Sequence, residues 1–210
     1  LEQANKKNKL PNLLIIVHLA GSPLDMKRVY ELKIKYNFSI IEDASHALGA
    51  EYFGFKVGCC RYSDLSVFSF HPVKMITTGE GGAITTNNKL LYEKCKLLRS
   101  HGIEKDPQKM KDKQIGLWKY EQQMLGYNYR ISDINTALGL SQIKRLDSII
   151  KKRRELINQY NSLFEGYDAV KIITEIKHTR SSYHLALMRL RKVKKLSKYK
   201  YIFESLRSKG

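Results

Sequence analysis

A lysine in the stretch SVFSFHPVKMITTGEGGA (66–83) lies between an apolar, strand-like run and a glycine-rich turn. This residue, Lys74, has Phe70, Val73 and Met75 among its sequence neighbours, which indicates that its amine is drawn towards the protein interior. A lysine in such a setting is either an awkward core residue or a reactive amine with a lowered pKa. Which of the two applies depends on the side chains that the fold brings to it.

Polar side chains follow the ends of two apolar runs. Asp43 ends FSIIED, with His46 close behind, whereas Ser69 and Lys74 come at and after the end of LSVFSF. In α/β sheets, ligands bind beyond the carboxyl ends of the strands. A carboxylate and a lysine at that edge suit pyridoxal 5'-phosphate, because the lysine forms a Schiff base and the carboxylate pairs with the pyridinium nitrogen. A strand-end aspartate alone is usually a turn cap, so this prediction rests on the combination, with TTGEGGA after the lysine.

Four apolar runs predict the strands that position these residues: NLLIIVHLAG, FSIIEDASHA, LSVFSFHP and GGAITTNN. The segment SPLDMKRVYELKIKY has helical spacing, with Ser22 and Pro23 at its start, and KLLYEKCKLLRSHG is a helix closed by Gly102. Strands that alternate with helices, and are apolar on both faces, predict an α/β fold with a parallel sheet.

The second half of the chain predicts a surface loop, a long helix, a strand and a final helix. The polar insertion IEKDPQKMKDKQIGLWKYEQQML is the loop. One helical pattern then runs from a cap at Ser132 or Asp133 to Gly166, long enough to bridge two domains whether continuous or kinked. SSYHLALMRL is predicted to be a strand and SKYKYIFESLRSKG an amphipathic helix.

Composition narrows the classes of function. A hydrophobic share of 42% in 210 residues supports a sizeable core. The net charge of +18 would suit nucleic-acid binding, but the basic residues fall mostly in helix-like stretches and no known nucleic-acid signature accompanies them. We therefore favour solvated helix faces and expect no nucleic-acid partner. Three cysteines without a CxxC predict neither disulfides nor a metal site, and with no apolar run of membrane-spanning length a reducing cytoplasm fits best.

The chain resembles the DegT-type sugar aminotransferases, which are fold-type-I enzymes that depend on pyridoxal phosphate. The resemblance is carried by EDASHALGAEY, SVFSFHPVKMITTGEGGAITTN, LLRSHGI and GYNYRISDINTALGLSQIKRLD, and more weakly by SSYHLALMRL. The insertion DP…GLWKYEQQMLGYNYR, together with VHLAG, is similar to the transaminases of the pseudaminic acid pathway. The resemblance implies part of a cofactor-binding large domain at 1–146, an interdomain helix at 147–165 and the beginning of a small domain at 166–210.

The resemblance also implies roles for five residues. Lys74 matches the catalytic lysine that binds the cofactor covalently and then moves a proton, and Asp43 matches the partner of the pyridinium nitrogen. His46 matches a contact to the cofactor's phenolic oxygen, and Ser69 a contact to its phosphate. Asn128 matches a residue that reaches the cofactor of a neighbouring subunit, which implies a homodimer with composite sites. The implied substrates are a UDP-linked 4-keto-6-deoxy amino sugar and glutamate as amino donor.

Relatives of this family extend further at both ends, so the chain is expected to be an internal part of an enzyme. Two other classes stay open at the level of sequence. A dehydratase of the same fold usually has histidine at the cofactor-lysine position, and Lys74 argues against it. An inactive remnant of such an enzyme, or a basic binding module derived from it, is the other. Within the family, another nucleotide-sugar aminotransferase is a further alternative. We expect His18 and His71 to serve packing or local hydrogen bonds, and Gly81 and Gly82 to shape the turn.

Overall fold

The computed structural model of the protein describes residues 1–110, 118–191 and 193–209. Within these residues the helices are α1 (Glu2–Lys6), α2 (Met26–Tyr36), α3 (Lys89–Arg99), α4 (Asp133–Ile143), α5 (Leu146–Leu163) and α6 (Leu196–Arg207). The strands are β1 (Leu13–Val17), β2 (Ser39–Asp43), β3 (Glu51–Tyr52), β4 (Phe55–Lys56), β5 (Leu65–Ser69), β6 (Gly82–Thr85), β7 (Ile103–Glu104), β8 (Glu121–Gln122), β9 (Val170–Ile172), β10 (Thr179–Arg180) and β11 (Met188–Leu190).

The central sheet has the strand order β1-β2-β5-β6. Strands β1, β2 and β5 are parallel, and their register places Asp43 between Val17 and Val67. The predicted α/β fold with a mostly parallel sheet is therefore confirmed. β6 departs from it and runs antiparallel to β5. The physical reason is its connection: residues 70–81 form a loop without a helix that folds back on itself, whereas parallel strands need a crossover segment that is usually an α-helix.

Helix α2 begins later than the sequence predicts. Pro23 is buried ahead of the helix, and Asp25 is the N-cap, accepting a hydrogen bond from the backbone N–H of Arg28 at 3.1 Å. Asn37 ends the helix in the left-handed conformation. One side of the helix then packs on the sheet, where Met26 joins Ile16 and Ile40 in the main hydrophobic core.

The predicted long helix is two helices. α4 begins at the N-cap Ser132, as predicted, and α5 follows after a break at Lys144 and Arg145. α5 ends at Leu163, three residues before Gly166, which has a positive φ of 80°. In the predicted surface loop, β7 and β8 pair as a two-stranded ribbon, and residues 111–117 of that loop lie outside the described residues.

The predicted strand SSYHLALMRL is wrong over most of its length. Only β11 is a strand, paired with β9, and α6 confirms the helix predicted after it. Residues 181–185, hereafter the 181–185 segment, are irregular because their backbone groups bond to the first half of the chain. The N–H of Ser182 donates to the carbonyl of Gly21 at 3.1 Å, and that of Leu185 to Ala20 at 3.3 Å.

Candidate active site

The sheet places the predicted residues at one edge. Asp43 ends β2 and Ser69 ends the neighbouring β5. Because the two strands are parallel, their carboxyl ends meet, and the loop that carries Lys74 starts there. Two backbone hydrogen bonds fold this loop back on itself: Phe70 N–H to the Gly81 carbonyl at 2.8 Å, and Thr78 N–H to the Phe70 carbonyl at 3.0 Å.

Lys74 lies between exposed and buried neighbours in this loop. Val73 is 64% exposed, whereas Met75 and Ile76 are buried. The side chain of Lys74 is half-buried, and its positive charge acts on Asp43 and His46 by lowering the pKa of each. The fold thus brings lysine, carboxylate and imidazole together.

The pKa of Asp43 lies below its ordinary value. Burial raises this pKa, but the hydrogen bonds from Ser45, including its N–H to Oδ1 at 3.1 Å, and the charges of His46 and Lys74 lower it by more. Asp43 is therefore an ionised carboxylate at neutral pH, which is the state that a protonated ring nitrogen requires.

His46 is neutral at neutral pH and has one defined tautomer. Burial, followed by the charge of Lys74, lowers its pKa by more than Asp43 raises it. The backbone N–H of Ala20 donates to Nδ1 of His46 at 3.3 Å, so the hydrogen-bond network assigns the proton to Nε2. His46 therefore has an N–H donor at Nε2. Its ring packs against that of His184, with centroids 4.5 Å apart and an interplanar angle of 38°.

The glycine-rich turn after Lys74 has the shape-giving role that the sequence predicts. A Cβ on Gly81, whose φ is 156°, would lie 2.4 Å from the Thr78 hydroxyl, and one on Gly82 would lie 2.5 Å from the Phe68 carbonyl oxygen. Asn135 in α4 holds this turn, donating from Nδ2 to the carbonyl of Thr78 at 2.6 Å.

The other two predicted contacts differ in their placement. Ser69 is half-buried at the strand end, where its hydroxyl accepts a hydrogen bond from the N–H of His71 at 3.4 Å. Asn128 is exposed and forms an isolated β-bridge with Ser100, the residue that follows α3. Its predicted role at a cofactor stays a prediction.

Sequence reasoning missed Glu42, the residue that precedes Asp43. Adjacent residues of a strand point to opposite faces, so Glu42 is buried on the other side of the sheet. Its Oε2 lies 2.8 Å from Nε2 of the fully buried His18, and it also accepts a hydrogen bond from Ser63. Burial raises the pKa of Glu42, but its hydrogen bonds with His18 and Ser63 lower it by more. His18 thus has the local hydrogen-bonding role expected of it.

Sequence reasoning also missed His184. This residue lies within SSYHLALMRL, which the sequence predicts to be a single strand. The polar residues at the start of that run were a signal that the strand begins later. The 181–185 segment brings His184 to His46, and His184 is only 7% exposed.

Two other kinds of site find no support in the described residues. Residues 1–110, 118–191 and 193–209 contain no group of three histidine, cysteine, aspartate or glutamate side chains that could hold a metal ion. No helix in that part of the chain has the length and apolarity to cross a membrane.

Solved structures of sugar aminotransferases share this fold. PseC of Helicobacter pylori, an aminotransferase of pseudaminic acid biosynthesis, matches with a TM-score of 0.82 and 37% identity, over 93% of this chain and 50% of its own. A candidate sugar aminotransferase of Streptococcus pneumoniae in its PLP form matches with a TM-score of 0.79 and 26% identity, over 94% of this chain and 52% of its own. The fold is therefore that of the fold-type-I sugar aminotransferases.

The chain belongs to the DegT/DnrJ/EryC1/StrS aminotransferase family, whose profile matches residues 4–210. The UDP-4-amino-4,6-dideoxy-N-acetyl-beta-L-altrosamine transaminase of Campylobacter jejuni is 47% identical over 81% of this chain and 42% of its own length. The protein of the same name from Helicobacter pylori is 37% identical over 97% of this chain and 51% of its own. The chain thus spans about half the length of these curated relatives.

Proposed function

We propose that the protein of which this chain forms part is a pyridoxal-phosphate-dependent aminotransferase. It moves an amino group, from glutamate as donor, to a UDP-linked 4-keto-6-deoxy amino sugar. The observation that carries the proposal is the meeting of an ionised Asp43, at the end of β2, with Lys74, in the loop that follows the parallel strand β5. The names of the relatives support the sugar substrate, since they are transaminases of a UDP-linked amino sugar.

The residues at this edge fit the cofactor. Lys74 would hold it covalently, Asp43 would face its ring nitrogen, the Nε2–H of His46 would donate to its phenolic oxygen, and Ser69 would contact its phosphate. The bound cofactor supplies an electron sink for the substrate carbon that loses a proton. Lys74, once its amine is released, is the base that removes this proton and returns one. Asp43 keeps its negative charge beside the ring throughout, because its pKa lies below the neutral range.

The proposal also includes a homodimer as the assembly and a reducing cytoplasm as the location. The exposed face of α4 supports the homodimer. α4 is rich in apolar residues yet has no buried residue, and Ile134 and Leu140 on it are 85% and 60% exposed. A helix with apolar side chains all round is normally covered by protein. In such a dimer the exposed Asn128 would serve the partner's site, as the resemblance implies.

Substitution of Lys74 in the full-length protein tests the proposed function. In Lys74→Ala we expect no protein–cofactor bond that borohydride can trap, and no amino transfer, because the amine that forms the bond is gone. Trapping is measured by the mass of the intact protein after reduction, and transfer by formation of the amino sugar.

The matched controls are Lys56→Ala and Lys89→Ala, which remove lysines of the same domain. Lys56 pairs with Glu51 at 2.7 Å and Lys89 is exposed at the start of α3, so both variants should keep the bond and the activity. A reduced bond that still forms in Lys74→Ala would contradict the proposal.

A further inference from the structure

The 181–185 segment is held over the candidate site by contacts from several parts of the chain. The Ser182 hydroxyl donates to the carbonyl of His46 at 3.1 Å. Nη1 of Arg153 on α5 donates to the carbonyls of Tyr183 at 3.3 Å and His184 at 2.8 Å. The segment is thus fixed both to His46 in the site and to α5.

A glycine permits this close approach. Gly21 has a φ of 88°, and a Cβ there would lie 2.5 Å from the Ser182 hydroxyl and 2.9 Å from the backbone nitrogen of His184. A residue larger than glycine at position 21 would therefore clash with the 181–185 segment and with His46. His184 is therefore brought to a defined position against His46.

The ring of His184 lies against the ring of His46. Its own Nδ1 is buried and has no hydrogen-bond partner among the described residues. Burial, then the charges of His46, Arg153 and Lys74, lower the pKa of His184 to about 4, so the ring is neutral at neutral pH. A neutral ring whose buried nitrogen is unbonded acts on His46 through packing.

Several groups act on the His46 ring. The Ala20 N–H occupies Nδ1, the Asp43 carboxylate and the Lys74 ammonium act on its charge, and His184 covers a ring face. This arrangement leaves Nε2–H as the donor that His46 can offer to a ligand.

We propose that His184 is a positioning residue for His46, an inference that rests on the proposed function. Its ring fixes the plane of the His46 imidazole and shields it from water, so that His46 presents its Nε2–H to the ligand held at Lys74. The residue acts through His46 and supplies no proton itself.

The test follows the His46 imidazole directly, by nitrogen-15 NMR titration of the full-length protein without cofactor. In His184→Phe a flat ring still covers His46, so its pKa should stay below the ordinary value of about 6.5 and the Nε2–H tautomer should persist. In His184→Ala the face is open to water, so the pKa should move towards that ordinary value and the tautomer should become mixed. Amino-transfer kcat should fall about ten- to a hundredfold in His184→Ala and stay near wild type in His184→Phe.

His178→Ala is the matched control, because His178 is also a stacked histidine, with its ring 4.1 Å from that of Phe53, but outside the site. It should leave the His46 titration unchanged. An identical His46 titration in wild type, His184→Phe and His184→Ala would overturn the proposal. So would a His184→Asn variant that keeps kcat while His184→Phe loses it, since the nitrogen rather than the ring would then matter. The NMR readout needs no cofactor, so failure of the proposed function would show separately, as absence of the bond to Lys74.

Discussion

At the scale of single residues, the site depends on a carboxylate that stays charged although it is partly buried. Two hydrogen bonds from Ser45 and the neighbouring charges of His46 and Lys74 hold the pKa of Asp43 down against the effect of burial. The charge itself, rather than the shape of the side chain, is what the proposed chemistry uses.

Asp43→Asn separates charge from shape. Asparagine is nearly isosteric but cannot stabilise a protonated ring nitrogen, so we expect the full-length variant to bind cofactor and to lose at least about a hundredfold in kcat. Cofactor content by absorbance and amino transfer from glutamate measure the two properties. The control is Asp25→Asn, the same change at the N-cap of α2, which should leave kcat unchanged. Near-normal turnover in Asp43→Asn would refute the role of Asp43.

Residue types at strand ends were enough to pick out Asp43 and Lys74, because parallel strands bring their carboxyl ends together whatever the loops do. The same reasoning could not find His184. Nothing in its local sequence tells which distant residue it faces, and only the path of the 181–185 segment across Gly21 brings it to His46.

At the scale of elements, the 181–185 segment shows where periodicity misleads. Its apolar neighbours suggested one strand, yet its backbone is satisfied by Gly21, Ala20 and the guanidinium of Arg153. The long helical pattern was predicted as continuous or kinked, and the structure has the interrupted form. Its apolar spacing continues across the break at Lys144 and Arg145, so spacing alone could not choose between the two.

Gly21→Ala tests how closely the segment must approach. The new Cβ would lie 2.8 Å from the His46 carbonyl oxygen, in addition to its contacts with the segment, and φ is positive. We expect a loss on the order of 3 kcal/mol in the free energy of unfolding. Gly54→Ala is the matched control, because Gly54 has a similar φ of 77° and no atom within 4 Å of the added Cβ. It should cost about 1 kcal/mol, which is the strain of a left-handed L-residue alone. Urea unfolding measures both, and equal losses would contradict the close-approach argument.

At the scale of the whole molecule, each site of the proposed dimer combines Lys74 of one subunit with Asn128 of the other. A heterodimer of Lys74→Ala and Asn128→Ala subunits, isolated with two affinity tags, would then have one intact site and about half of the wild-type activity. Each homodimeric variant should have far less. As control, a heterodimer of Lys74→Ala with Asp43→Asn should recover no activity. Both residues act in the site of their own subunit, so neither site of this heterodimer is intact. No recovery in the first heterodimer would show that Asn128 does not act across the dimer.

The separation of the contacting residues along the chain also sets the order in which the site is built. β1 and β2 join residues such as Leu13 and Ser39, whereas the Ser182 hydroxyl bonds to His46 across 136 positions and the Ser181 hydroxyl to Gly21 across 160. Closing a longer loop costs more conformational entropy, and a nascent chain folds from its N-terminus as it is made. We therefore expect β2 and β5 to pair before the 181–185 segment docks on them. The Lys74 loop would then be in place before the His184 ring covers His46, because that ring follows α5 in the chain.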